Sequence, residues 1–218
     1  MGIVISNRQV DRLWIIDDDE SARASYHDSL AGSVFETWSP DDNLVDPDIF
    51  FRALGSTDAV ISDHQLKKKS YFPMNGAELV AKCYSQSIPS ILVTKYDKVQ
   101  MAEIRRFRKS IPVLINPREF DVDTIPEKLE ICIREFRGEI RTDRKLYQTL
   151  VRIDSVDETH IYVIIPGWDS KEIIAIDKSE LPGEYKDVVR DDRRLLVNAN
   201  IGCERKDDLF FEKWEIKD

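Results

Sequence analysis

Four acidic positions and one hydroxyl in this chain stand where short apolar runs stop. Leu13-Trp14-Ile15-Ile16 ends in Asp17-Asp18-Asp19, Ala59-Val60-Ile61-Ser62 ends in Asp63, and Ile91-Leu92-Val93 ends in Thr94. Apolar runs of this length closed by polar residues read as buried parallel strands. The carboxyl ends of such strands form the ligand-binding rim of an open α/β sheet. Carboxylates gathered at one rim repel each other, and their pKa values rise unless a cation neutralises them. A hard divalent cation such as Mg2+ suits that donor set and leaves room for a phosphate. Asp63 can then attack a phosphoryl donor while the cation offsets charge on the oxygens in flight. Thr94 can donate a hydrogen bond to the phosphoryl group that Asp63 carries. A blander role exists for Asp17–Asp19 as a helix N-cap run; the matching positions of Asp63 and Thr94 favour the site.

Positioning these groups takes a sheet with helices between its strands. Strands are expected over 13–16, 34–38, 59–62, 90–94 and 111–115. Helices are expected over 21–30, 49–54, 76–84, 97–109 and 125–136, with Gly55 as the stop of the second. Asn116-Pro117 ends the fifth strand, because proline cannot continue a central strand. Residues 1–10 read as a lead-in, and the insertion 65–74, with Lys67-Lys68-Lys69, as a solvated loop. Strand and helix alternate five times, which gives the fold class α/β: a doubly wound five-stranded parallel sheet. After Gly138 the pattern changes to strand-like runs at 146–153, 159–165, 173–176, 194–199 and 209–216, separated by turn residues. These predict a small all-β, barrel-like domain. The domains are therefore expected at 1–138 and 139–218.

The sequence has 218 residues, 42% hydrophobic and 33% charged, with a net charge of −9. The balance is similar in both parts: 18 Lys/Arg against 22 Asp/Glu in 1–138, and 14 against 19 in 139–218. Phosphate backbones need a basic face, so a nucleic-acid partner is not expected. No apolar run approaches the ~20 residues that span a bilayer. The N-terminus lacks a basic segment followed by a long apolar one, so a cytoplasmic location is expected. Met1-Gly2 with Ser6 fits the loose myristoylation pattern and reads as an ordinary start. Cys83, Cys132 and Cys203 are far apart and read as reduced thiols. Asn198, Asn200 and Cys203 suggest a thiol nucleophile, but no histidine stands near them in sequence, so Cys203 reads as buried. Trp168 and Trp214 read as core residues, and only His64, among the histidines, is near the acidic site.

Taken together, Asp17-Asp18, Asp63, Thr94 and Pro117, each at its own strand end and in this order, resemble the receiver domain of two-component response regulators. Ile15-Ile16-Asp17-Asp18-Asp19 is similar to the family's first-strand acidic pair, and Val60-Ile61-Ser62-Asp63 to its phosphoacceptor strand. Asn75-Gly76-Ala77-Glu78-Leu79 is similar to the segment that opens the next helix. Ile91-Leu92-Val93-Thr94 matches the fourth strand, and Leu114-Ile115-Asn116-Pro117 the fifth, whose proline often follows a cis bond. The resemblance covers about residues 11–137. It implies a flavodoxin-like sheet, Mg2+ held by Asp17, Asp18, Asp63 and the backbone carbonyl of Gln65, and phosphotransfer from a histidine kinase onto Asp63. It also implies a non-enzymatic signalling protein, apart from the receiver's own phosphoryl chemistry, and allows a homodimer. The C-terminal domain would then bind a protein partner. Three positions depart from the family. Asn116 replaces its lysine, Lys95 replaces a small residue, and Val113 replaces an aromatic. Asn116 and Lys95 are therefore expected at the phosphoryl site in altered roles. A second expectation follows from the same departures: a degenerate receiver that serves as a phosphorylation-independent scaffold.

Overall fold

The structure is a computed structural model that describes residues 2–40, 46–66, 71–95, 98–185, 189–191 and 193–216. Lys67, Lys68 and Lys69 lie outside the described residues. Contacts divide the chain into two compact units, Met1–Glu139 and Ile140–Asp218. No described helix is long and apolar enough to cross a membrane.

The first unit opens with a hairpin, β1 (Ile3–Ile5) and β2 (Arg8–Val10), in place of the expected lead-in. Its turn residues, Ser6 and Asn7, both have positive φ, 45° and 59°, which matches the strand twist in a two-residue turn. Three-residue strands are too short to leave a readable alternation. The hairpin is tied down by Ser6 Oγ, which donates to Glu130 Oε1 (2.7 Å), and by Arg8 Nε, which donates to the Ser56 carbonyl (3.1 Å).

β3 (Arg12–Ile16), α1 (Glu20–Leu30), β4 (Glu36–Trp38), α2 (Pro47–Ala53), β5 (Asp58–Asp63), α3 (Gly76–Ser85), β6 (Ser90–Val93), α4 (Lys98–Arg105), β7 (Val113–Ile115) and α5 (Ile125–Phe136) follow. The strands form one parallel sheet in the order β4-β3-β5-β6-β7. This is the doubly wound order in which the chain steps outward from β3 and then returns past it. The carboxyl ends of β3 and β5 are thereby neighbours at the switch point. Alternate residues of each strand feed opposite layers. Leu13, Ile15 and Ile61 pack with Leu30, Leu129 and Ile133. Trp14, Ile16 and Val60 pack with Phe50, Phe72, Leu79 and Cys83.

Three local readings are corrected. Gly55 is not the left-handed stop of α2: the helix ends at Leu54 in extended backbone, and the Gly55 N–H donates to Asp58 Oδ2 (2.8 Å). The expected helix over 97–109 is α4 followed by a separate 3-10 turn, Arg108–Ser110. The buried Arg108 guanidinium there donates to the Ile111 carbonyl, which takes the chain out of α-helical register. The bond before Pro117 is trans. Pro117 instead opens a 3-10 turn that Asn116 caps.

The second unit is one antiparallel sheet of β8 (Tyr147–Val156), β9 (His160–Ile165), β10 (Asp169–Asp177), β11 (Arg194–Ala199) and β12 (Phe211–Ile216), ordered β10-β9-β8-β11-β12. β10 and β12 are its edges, and no ladder joins them among the described residues. One face buries Val151, Ile153, Ile161, Val163, Ile174, Ile176, Leu195 and Val197. Trp214 and Cys203 are buried in this core, and Trp168 packs against it. Trp168 Nε1 donates to the Cys203 carbonyl (2.7 Å). Asn200 is fully buried and joins three segments. Its amide donates to the carbonyls of Asp143 and Asp208 (3.0 Å each), and its Oδ1 accepts from the Phe210 N–H (2.8 Å).

Candidate metal and phosphoryl site

Register places the acids. Ile16 pairs with Ser62 and Asp63 pairs with Val93, so Asp17, one step beyond β3, comes beside Asp63. Carboxylate oxygens of Asp17, Asp18 and Asp63 lie within 4.8 Å of one another. They face a cleft of about 270 Å³ that Asp19, Ala22, Tyr26, Gln65, Lys95 and Pro117 also line.

The N-cap role falls to Asp19 and not to its neighbours. Asp19 Oδ1 accepts from the Ser21 N–H (2.9 Å) and hydroxyl (2.6 Å) at the start of α1. Asp17 and Asp18 are 7% and 8% exposed and turned inward. Asp17 Oδ1 accepts from the Asp19 N–H (2.8 Å). Asp63 Oδ2 accepts from the Gln65 N–H (2.7 Å). Asp18 Oδ2 is buried with no hydrogen-bond partner among the described residues. A buried carboxylate oxygen without a donor costs free energy that a bound cation would recover. Burial pushes the Asp17 carboxyl up from its ordinary 3.8 to about 6, with the charges of Asp63 and Asp18 adding to the effect. Asp63 is also raised, first by burial, against the hydrogen bonds from Gln65 and His64. The donor set, all oxygen and all acidic, fits a hard divalent cation.

The remaining expected residues are spread around this centre. Lys95 lines the cleft and is exposed. Thr94 is buried, and its N–H donates to the Ile115 carbonyl (2.9 Å). Gln65 follows Asp63 at the cleft wall. Asn116 is committed elsewhere: its Oδ1 accepts from the Arg118 N–H (3.0 Å), and its N–H donates to Glu119 Oε2 (2.8 Å). Pro117, not Asn116, is the residue of that turn that lines the cleft. His64 is buried and turned away from the acids, with Nε2 3.3 Å from Glu103 Oε2 on α4.

Three residues at or behind the site were not singled out from sequence. Tyr26 lines the cleft from α1 and packs edge-to-face on Phe120 (centroids 4.6 Å apart). Burial and the charges of Asp17 and Asp63 hold its phenol up to about 12, so it remains a hydrogen-bond donor. Standing four residues after Ala22, it falls by helical spacing on the same face of α1, a pattern that carries no hint of the cleft. Arg23, also on α1, is buried, donates from Nη1 to the Asp17 carbonyl (2.7 Å), and stacks over the Tyr71 ring at 4.9 Å. It braces the turn that carries the acids. Gly76 begins α3 directly on the backbone of Asp63, where a Cβ would meet the Asp63 carbonyl oxygen at 1.8 Å. The Gly76 N–H donates to the His64 carbonyl (2.9 Å), so α3 is fastened to the strand end that presents Asp63.

No protein-family model and no curated protein matches the sequence. Solved structures with a similar fold are found for the N-terminal part. A response regulator receiver domain protein from Clostridium thermocellum is 14% identical, with 59% of this chain and 98% of that one covered and a TM-score of 0.45. A CheY-like receiver domain protein from Methanospirillum hungatei is 19% identical, with 60% and 99% covered and a TM-score of 0.45. Full-length FixJ from B. japonicum is 20% identical, with 62% and 63% covered and a TM-score of 0.45.

Proposed function

We propose that residues 1–138 form a phosphoryl-accepting switch and that residues 139–218 form its output domain. The observation that carries this reading is the trio Asp17, Asp18 and Asp63, held within 4.8 Å with one buried oxygen lacking a donor. Asp17, Asp18, Asp63 and the Gln65 carbonyl would hold Mg2+. When bound, the ion would supply positive charge against the phosphoryl oxygens. The Gln65 N–H fixes Asp63 Oδ2, which leaves Oδ1 as the attacking oxygen. In transfer from a phosphohistidine, an oxygen–phosphorus bond forms on Asp63 as the phosphorus–nitrogen bond breaks, and the imidazole leaves. Thr94 and Lys95 follow directly on β6, the neighbour of β5, where the Thr94 hydroxyl and the Lys95 ammonium can meet the phosphoryl oxygens. The donor is a histidine kinase, the location is cytoplasmic, and the chain catalyses nothing beyond its own phosphorylation and dephosphorylation. The output is a contact with another protein, with homodimerisation through the first unit as a further consequence of the switch.

A second reading has its own observation. The Asn116 Oδ1 is spent on a helical cap, and no cation stands at that position. This favours a scaffold that works without phosphorylation. One experiment separates the two. The full chain is incubated with Mg2+ and acetyl phosphate, and intact mass is recorded for wild type and Asp63→Ala. An added phosphoryl mass in wild type alone supports the switch. Identical masses, together with no Mg2+-dependent response to beryllium fluoride, leave the scaffold.

A further inference from the structure

The second unit holds a cleft of about 670 Å³, a volume within the usual range of ligand pockets. Two segments build it: the turn from β9 into the start of β10, and the loop after β11 that runs through the 3-10 turn Lys206–Asp208. Two bonds pin one segment to the other. Trp168 Nε1 donates to the Cys203 carbonyl (2.7 Å), and Lys206 Nζ donates to Glu172 Oε1 (2.6 Å). Asn200 anchors the second segment through its bonds to Asp143, Asp208 and Phe210. The cleft is therefore formed before any ligand arrives, which lowers the cost of binding.

Its walls carry unequal charge. Four carboxylates line it, against Arg205 and Lys206. Both cations are spent, Lys206 on Glu172 and Arg205 on Asp207, whose Oδ2 lies 3.8 Å from the arginine Nη2. Two carboxylates keep no counter-charge. Glu204 is exposed and has no ion pair or hydrogen bond among the described residues. Asp169 accepts only from backbone, the Lys171 and Glu172 N–H groups at 2.7 and 3.2 Å. Lys171 itself stands outside the cleft lining. Trp168 is the aromatic wall, half-buried and packed against the core. Its N–H is already satisfied by the Cys203 carbonyl, so what it offers a ligand is the ring.

We propose that this cleft binds an arginine-bearing segment of another protein. A guanidinium stacks on an indole and takes a carboxylate in a two-pronged way. Trp168, Asp169 and Glu204 offer both kinds of partner in one place. The surroundings have the matching sign: residues 139–218 carry 14 Lys/Arg against 19 Asp/Glu, and the whole chain has a net charge of −9. A basic segment is thus drawn in, and a phosphate backbone is repelled. As an output contact the cleft rests on the reading of this unit as an output domain, while its binding chemistry does not involve Asp63.

The test uses the full chain and a fluorescein-labelled peptide of alternating arginine and glycine, followed by anisotropy at physiological salt. No Mg2+ or phosphodonor is added, so a failure here and a failure of the phosphoryl assay are separate results. D169N/E204Q should bind about 100-fold more weakly, at roughly tenfold per charge-assisted contact. D154N/E158Q removes the same charge from exposed positions outside the cleft lining. It should bind within about twofold of wild type, because salt screens charges that do not touch the peptide. Wild type should prefer the arginine peptide to a lysine–glycine peptide by roughly threefold, the worth of an exposed cation–π contact. W168L should lose that preference whatever its thermal midpoint. Equal binding by wild type and D169N/E204Q overturns the proposal. So does an equal loss in D154N/E158Q, no preference for arginine in wild type, a preference kept by W168L, or displacement of the peptide by tetramethylammonium at the peptide's own concentration.

Discussion

At the scale of single residues, the acids are strained until something positive joins them. Asp17 titrates near 6 in the folded chain and near 3.8 when unfolded. Between those values the folded state holds more protons, so stability falls as pH rises through this window. Without divalent ions, lowering the pH from 7 toward 4 should therefore remove a destabilising contribution at this residue. Denaturation midpoints of wild type and Asp17→Asn, measured across that range, should diverge most above pH 6, with the variant the more stable. Added Mg2+ should close the gap, and its affinity for wild type should drop below pH 6 as protons compete. Tyr26 gives a second prediction at this scale. Tyr26→Phe keeps the ring against Phe120 but removes a donor from the cleft, so it should slow phosphorylation or dephosphorylation of Asp63 with little change in the thermal midpoint. Mass spectrometry over time in acetyl phosphate reads the rate.

At the scale of elements, what matters is how strands and helices are locked to one another. α3 starts so close to β5 that Gly76→Ala has no room: its Cβ would lie 1.8 Å from the Asp63 carbonyl oxygen. The variant should unfold at lower denaturant, by about 2 kcal/mol or more as expected for overpacking against backbone, and should bind Mg2+ more weakly because the strand end moves. At the other end of β5, Asp58 is fully buried and takes a two-pronged bond from Arg12, Nε to Oδ1 at 2.6 Å and Nη2 to Oδ2 at 2.8 Å. Removing Arg12 leaves the buried carboxylate without its counter-charge, with the Gly55 N–H still donating to Oδ2. Arg12→Met should thus cost about 3 kcal/mol in chemical denaturation, toward the low end for buried pairs because the arginine is partly exposed. In the second unit, Asn200→Ala orphans the Phe210 N–H and two carbonyls at once. A loss of roughly 2–4 kcal/mol follows from the usual penalty per buried unsatisfied group.

At the scale of the whole molecule, each unit has its own core. We expect a fragment ending at Glu139 to fold alone and to keep the Mg2+ response of the full chain, as read by circular dichroism and Mg2+ titration. The sequence by itself determined the periodicities of both units: apolar runs short enough for strands, four-residue stripes for helices, and the acids that close the runs. Residues 125–136 were legible to the residue because Leu129, Ile133 and Phe136 fall on one apolar stripe. It could not determine the hairpin at Ile3–Ile5 and Arg8–Val10, whose strands are shorter than one readable period, nor the closeness of Gly76 to Asp63. Nor could it tell which acid of Asp17–Asp19 caps a helix and which two turn inward, since all three are the same residue type. Tertiary structure decided that through the register of β3 on β5. A parallel ladder fixes which strand ends are neighbours, and only that adjacency brings residues 46 positions apart, Asp17 and Asp63, into one acidic cluster.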